Sequence, residues 1–230
     1  MTRWPIARYL LSTHFIFLIL VLLGFYLAIG VVLAVVALLT DITLSGVDIG
    51  GQILNWMAVG YGFSAFGVLT TMLVHGRTRR EFLAQHAAFQ VILATAAAAL
   101  VTAMYAAETA AYSALDWGQK TQDDRAYEST SDYPTIFVAY WSMLLIWQFV
   151  GAFVGTAVYR WETNGILALL PAAGLLLVSG GVNSFLKLPF VDFEVDGLLP
   201  MAGLTVIIAA VTWAMTWATV RDIPLRTQAA

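Results

Sequence analysis

Residues 15–39 of the chain read FIFLILVLLGFYLAIGVVLAVVALL, a long apolar run without a charged side chain. An α-helix needs about 20 apolar residues to cross the roughly 30 Å of hydrocarbon in a bilayer. A secretory signal has a shorter apolar core of about 7–15 residues, followed by a small-residue cleavage site. The stretch therefore predicts a retained membrane-spanning helix.

Five more uncharged runs follow the first one. They are residues 50–74, 87–107, 135–158, 165–182 and 198–220. Because backbone groups in lipid must form hydrogen bonds within their own segment, each run is expected to be a helix. Of the 230 residues, 60% are apolar and 11% are charged, which excludes an ordinary water-soluble domain. We predict an all-α integral membrane protein with six transmembrane helices in a single domain, residues 1–230.

The charges on the connecting segments predict the orientation of these helices. Six spans place both ends of the chain on one side, and that side carries eight of the eleven basic residues: Arg3, Arg8, Arg77, Arg79, Arg80, Arg160, Arg221 and Arg226. The other side carries only Lys120, Arg125 and Lys187, together with most of the acidic residues. By the positive-inside rule, we expect both termini in the cytoplasm and residues 108–134 in an outer loop.

Composition also limits the possible chemistry. The chain has no cysteine and three histidines, and its formal net charge of −3 offers nucleic acid no basic surface. No paired metal-ligand motif or phosphate-binding glycine loop is present. Ser64 lies in a Gly-Phe-Ser-Ala sequence that partly matches a nucleophile loop, but no histidine within a span is expected to serve it. We expect no catalytic residue, metal or cofactor in this chain.

The turn between the second and third spans carries the most informative local pattern. Gly76 can end the second helix in a left-handed cap, and Thr78 can cap a new helix with Glu81 three residues later. These signals predict a short cytoplasmic helix over residues 76–85, with Phe82 and Leu83 facing the membrane or a partner. The alternative is a basic loop that only obeys the positive-inside rule.

The residues Gly76-Arg77-Thr78-Arg79-Arg80-Glu81-Phe82 resemble the Gly-x-Ser/Thr-Arg-Arg-Glu/Asp-Phe turn of type-2 ABC transporter permeases. In that family the turn is a coupling helix that docks into the ATP-binding subunit. The resemblance implies that Arg77, Arg79, Arg80, Glu81 and Phe82 contact an ATPase subunit, which holds ATP and Mg. It also implies a second copy of the permease, more readily a homodimer than a heterodimer, in the cell membrane of a prokaryote.

Other parts of the chain also fit the plan of this family. Residues 1–14, with Trp4, Tyr9 and two arginines, are expected to form an interfacial elbow helix. Residues 182–190 match a short segment that re-enters the membrane from outside. Arg160 and Trp161 lie in a second cytoplasmic turn, as a lesser ATPase contact or as simple interface anchors. The acidic loop over residues 108–134 is long for the family.

Polar residues inside the spans suggest where a pathway would run. Gln52 and Asn55 share one face of the second span, which continues through Val59 and Gly62, and Gln148 lies inside the fourth span. We expect this stripe to face the dimer axis near the outer mouth of a pathway. The alternative is that the amides hydrogen-bond a neighbouring helix. Small residues in spans two and five allow close helix approach, either between subunits or within one.

These observations favour the permease subunit of an ATP-driven exporter. Its cargo is expected to be apolar or amphiphilic, such as a drug, a lipid or a hydrophobic peptide. The main alternative is a non-transporting accessory or immunity protein that binds a peptide or lipid at the outer face. A membrane-embedded enzyme acting on lipid is a third hypothesis, which lacks a catalytic cluster in the sequence.

Overall fold

The computed structural model describes residues 4–37, 39, 45–117, 119, 121, 125–183 and 195–223. All regular structure among these residues is helical. The α-helices are α1 (Pro5–Ala37), α2 (Gly46–Ala65), α3 (Leu69–Val74), α4 (Arg79–Ala114), α5 (Tyr133–Trp161), α6 (Leu169–Asn183) and α7 (Leu198–Val220). Two 3₁₀ segments, Phe66–Val68 and Glu162–Ala168, join α2 to α3 and α5 to α6.

Five helical segments in the described part of the chain are long and apolar enough to cross a membrane. They are Pro5–Leu33, Gly46–Val74, Arg79–Ala114, Tyr133–Val182 and Leu198–Val220. The prediction of an all-helical protein is therefore confirmed, and several of its helices are long and apolar enough to span a membrane. Three of these segments contain the second, third and sixth predicted spans, Pro5–Leu33 overlaps most of the first, and Tyr133–Val182 contains both the fourth and the fifth.

The 50-residue segment Tyr133–Val182 reverses its direction at Glu162. The φ angle of Glu162 is 52°, in the left-handed region that a residue with a side chain rarely adopts. A Cβ atom on Gly165 would lie 2.5 Å from the carbonyl oxygen of Ala157. Residues eight apart in a straight helix are about 12 Å apart, so this approach requires the chain to fold back. Accordingly, α6 contacts α5.

Two of the predicted short helices are parts of longer ones. Residues 5–14 belong to α1, which runs without a break to Ala37, so the separate elbow helix predicted over residues 1–14 is wrong for the described residues. The helix predicted over residues 76–85 is also wrong as a separate element, because α4 begins at Arg79 and continues to Ala114. Neither stretch contains an internal proline or glycine that would end the helix. The predicted re-entrant segment beyond Asn183 lies outside the described residues.

Helix α5 occupies the centre of the bundle and contacts α2, α4, α6 and α7. Its closest neighbour is α2, because glycines remove the side chains between the two backbones. A Cβ on Gly62 of α2 would lie 1.9 Å from the carbonyl oxygen of Gln148, and a Cβ on Gly151 of α5 would lie 2.1 Å from that of Val59. Glycine at these positions permits backbone contact, as in other membrane helix pairs.

Helix α1 lies at the periphery, against α2 and α4. It exposes a long series of large apolar side chains, among them Leu20, Leu23, Leu27 and Val31. Water-soluble proteins rarely expose a continuous apolar surface of this extent. The exposed face of α1 is therefore suited to contact with lipid or with another membrane helix.

Candidate functional site at the basic turn

The turn between α3 and α4 has a fixed backbone conformation. Gly76 has a φ of 78°, as predicted, and its N–H donates to the carbonyl of Leu73 at 3.0 Å. The N–H of Arg77 donates to Met72 at 3.0 Å, which completes a Schellman cap. The hydroxyl of Thr78 accepts a hydrogen bond from the N–H of Glu81 at 3.1 Å, which confirms the predicted N-cap.

A chain of hydrogen bonds joins this turn to the start of α1. The guanidinium of Arg77 donates to Glu81 at 2.8 Å, and the amide of Gln85 donates to the same carboxylate oxygen at 3.2 Å. The Gln85 carbonyl in turn accepts from the backbone N–H groups of Ile6 at 2.8 Å and Ala7 at 3.2 Å. Gln85 thereby satisfies donors that the first turn of α1 leaves without helical partners.

Arginines join the same end of the molecule to the end of α7. Arg79 donates through Nη2 to the carbonyl of Ile223 at 2.6 Å, while its buried Nε has no hydrogen-bond partner. Arg160, at the end of α5, donates to the carbonyl of Thr219 at 2.7 Å and lies 5.1 Å from the ring centre of Trp161. Positive charge near the last carbonyls of a helix is favourable, so both arginines stabilise the α7 terminus.

The aromatic member of the predicted contact lies inside the protein. Phe82 is 0% exposed and Leu83 is 3% exposed, so the expectation that they face the membrane or a partner is wrong. The Phe82 ring stacks on His86 at 5.5 Å and meets Phe66 edge-on at 5.4 Å. Phe82 therefore anchors the start of α4, and the exposed surface of the turn consists mainly of Val74, His75, Arg77 and Arg80.

A cavity of about 900 Å³ lies beside the turn, between it and the last turns of α7. Arg77, Arg79, Arg80 and Arg221 line it together with apolar side chains that include Leu73, Leu83, Trp213 and Trp217, so most of its wall is apolar. This cavity is named the arginine cavity below. Sequence reasoning identified three of these arginines but did not connect them with α7.

A second polar cluster, absent from the sequence-based hypotheses, lies at the opposite end of the bundle. Asp48 in the first turn of α2 is 0% exposed and accepts from Arg125 Nε at 2.9 Å. The hydroxyl groups of Tyr105 and Tyr127 donate to the same carboxylate oxygen at 3.2 and 3.0 Å. The Tyr140 hydroxyl lies 3.4 Å from that of Tyr105. These five residues are named the Asp48 cluster.

The Asp48 cluster ties the loop after α4 to three helices. Burial and the charge of Asp48 raise the pKa of the Tyr127 phenol well above its usual range, so its hydroxyl stays protonated and can donate. Nearby, Glu108 accepts from the backbone N–H of Gly46 at 2.6 Å and from the hydroxyl of Ser45. The amide of Gln119 donates to Glu108 at 2.9 Å. Asp48 and Glu108, two of the acidic residues that the charge distribution assigns to the outer side, are thus partners of buried groups.

Two of the three residues predicted for a pathway, Asn55 and Gln148, are buried within the chain. Asn55 is 4% exposed and Gln148 is 1% exposed, and the side-chain oxygen of each has no hydrogen-bond partner. The face of α2 that carries Asn55 continues through Gly62, which lies against the α5 backbone, so Asn55 and Gly62 face α5 within this chain. A pathway role for Gln52, Asn55 and Gln148 stays a prediction.

The environment of Ser64 also differs from the expectation. His14 of α1 places Nε2 3.1 Å from the Ser64 hydroxyl, and its Nδ1 lies 2.8 Å from the carbonyl of Leu10. The expectation that no histidine can serve Ser64 is therefore wrong. The pair links α1 to α2 next to an open groove of about 450 Å³ that includes Phe17 and Tyr61.

Comparison with known proteins gives this chain no family: no family model, curated protein or solved structure matches it. Among the described residues, no three His, Asp or Glu side chains are grouped as in a metal site.

Proposed function

We propose that the chain is the membrane-spanning permease subunit of an ATP-driven exporter. A separate ATPase subunit would hold ATP and Mg and dock on the turn between α3 and α4. The support for this proposal is the sequence of the turn, Gly76 to Phe82, together with its geometry. Two caps fix its backbone, and its exposed side chains include Arg77 and Arg80.

The observation that carries the proposal is the connection of this turn to two other helices. Gln85 binds the first N–H groups of α1, and Arg79 binds the carbonyl of Ile223 after α7. A partner that displaces the turn would therefore move α1 and α7 with it, because these bonds resist separation of the elements. In this scheme Phe82 transmits the movement from inside the bundle, and Arg77 and Arg80 touch the partner.

The proposed permease has six spans with both termini in the cytoplasm. The reversal at Glu162 would divide Tyr133–Val182 into the fourth and fifth spans. Two copies would face each other through lipid-exposed surfaces, of which α1 offers the longest apolar face. The cargo would be an apolar or amphiphilic compound that moves out of a prokaryotic cell.

Cross-linking at the turn tests this function. The chain has no cysteine, so His75→Cys places a single thiol on the exposed turn. We expect it to cross-link to an ATPase with a Walker A loop encoded beside this gene, and Arg80→Glu to abolish co-purification of that subunit. Arg8→Glu, a charge reversal at an exposed position of α1, is the matched control and should leave co-purification intact.

Capture of no ATPase by the native chain would refute the permease assignment and favour the accessory-protein alternative. Equal co-purification with Arg80→Glu and with the native chain would show that the turn is only a topogenic loop.

A further inference from the structure

The arginine cavity lies beside an apolar groove that shares one lining residue with it. The groove has a volume of about 400 Å³ and lies between α4 and α7, with α5 as its floor. Leu145 and Phe149 form part of the floor, and the small side chains of Ala87, Ala209 and Ala210 leave the sides open. Trp213 lines both the cavity and the groove, so the two spaces adjoin.

The cavity carries excess positive charge. The carboxylates near its arginines are Glu81, paired with Arg77 at 2.8 Å, and Asp222, paired with Arg221 at 3.0 Å. Both pairs are exposed to solvent, and exposed ion pairs are weak. The site therefore has donors available for an anion.

The dimensions fit a molecule with an anionic head and an apolar tail. A volume of about 900 Å³ is at the upper end of the range for ligand pockets, about 300–1,000 Å³, so it has room for a phosphate-containing headgroup. Guanidinium groups bind phosphate with two parallel hydrogen bonds. Along α7 the groove extends from Val206 to Trp213, about 10 Å at helical rise, which accommodates half of a common acyl chain.

We infer that the arginine cavity and the adjoining groove together bind one anionic phospholipid of the cytoplasmic leaflet. Its phosphate lies among Arg79, Arg80 and Arg221, and one acyl chain lies between α4 and α7. Basic pockets between membrane helices on the cytoplasmic side are suited to such headgroups. The lipid fills the gap between two helices that make few direct contacts. This inference needs the membrane placement of the chain but not the ATPase.

Lipid titration of the purified full-length chain in neutral detergent tests the headgroup site. Native mass spectrometry would compare phosphatidylglycerol with phosphatidylcholine of the same acyl chains, and we expect tighter binding of phosphatidylglycerol. A basic residue near an anionic lipid contributes about fivefold to binding. Arg221→Gln should therefore weaken phosphatidylglycerol binding about fivefold, and Arg80→Gln with Arg221→Gln about 30-fold. Arg8→Gln removes an exposed charge elsewhere at this end and should change binding less than twofold.

The acyl-chain site is tested by filling the groove without changing charge. Ala210→Leu should weaken phosphatidylglycerol binding at least threefold, whereas Ala214→Leu, at an exposed position of α7 outside the groove, should not. Free glycerol phosphate, which has the head but no chain, should compete only at much higher concentration.

Three outcomes would overturn the inference. Unchanged binding in Arg221→Gln would place the lipid elsewhere, and equal losses in Arg221→Gln and Arg8→Gln would show non-specific attraction. If glycerol phosphate competes at the same concentration as the lipid, the site binds a free anion and has no specificity for a lipid. Each variant is first compared with the native chain by size-exclusion chromatography and by melting temperature. If the double arginine variant does not fold, Ala210→Leu, which leaves the charge unchanged, still tests the site. Because no ATPase is present, failure here leaves the permease proposal untouched.

Discussion

Replacing Arg125 by Gln should destabilise the protein strongly, because it removes a guanidinium that pairs with the buried carboxylate of Asp48. The side chains of Arg125 and Asp48 are 4% and 0% exposed. Removing one partner of a buried ion pair costs about 3–5 kcal/mol, whereas an exposed pair contributes about 1 kcal/mol or less. Since the hydroxyls of Tyr105 and Tyr127 still donate to Asp48, we expect the lower end, about 3 kcal/mol.

The free energy of unfolding is measured by reversible denaturation in mixed micelles, for the native chain, each single variant and the double variant. Asp48→Asn in the Arg125→Gln background removes the buried charge and should recover part of the loss, which gives a favourable coupling energy in the double-mutant cycle. Arg8→Gln, a change at an exposed position, should stay within about 0.5 kcal/mol of the native chain. A loss below about 1 kcal/mol for Arg125→Gln, with no coupling to Asp48, would refute the burial of this pair.

Two other predictions address helix packing and topology. Gly151→Ala should lower the melting temperature, because its Cβ would lie 2.1 Å from a backbone carbonyl oxygen of α2 and overpacking costs about 1–3 kcal/mol. The control is Gly60→Ala, which should be neutral or stabilising because no atom lies within 4 Å of its Cβ. Equal effects of the two substitutions on the melting temperature would contradict the close contact of α2 with α5. A cysteine at Ser131, exposed in the loop before α5, should react with an impermeant thiol reagent in intact cells. Labelling only after lysis would reverse the predicted topology.

Local features of the fold were predictable from the sequence because they depend on residues close together in the chain. The left-handed cap at Gly76 and the N-cap at Thr78 are examples, since each involves atoms within five residues. The N-cap at Thr78 was wrongly interpreted as the start of a short helix over residues 76–85. Arg79 begins a helix that continues to Ala114, and the sequence directly after it has no stop signal.

Candidate sites were less predictable because their members are far apart in the chain. Asp48 and Arg125 are 77 residues apart, and sequence patterns within either segment do not pair them. Phe82 was identified as a contact residue, but its burial also depends on Phe66, which lies in another element of the fold. His14 and Ser64 meet only because α1 packs against α2.

The sequence by itself determined that this is a helical membrane protein, since hydrocarbon tolerates long uncharged segments only when each satisfies its own backbone. It also determined the basic turn at Gly76–Arg80, whose caps are local. Tertiary structure decided which charges are buried, which glycines touch a neighbouring backbone, and that the arginines of the turn share a cavity with the end of α7. Hydropathy is a property of each segment alone, whereas helix neighbours depend on how side chains from distant segments fit together in space.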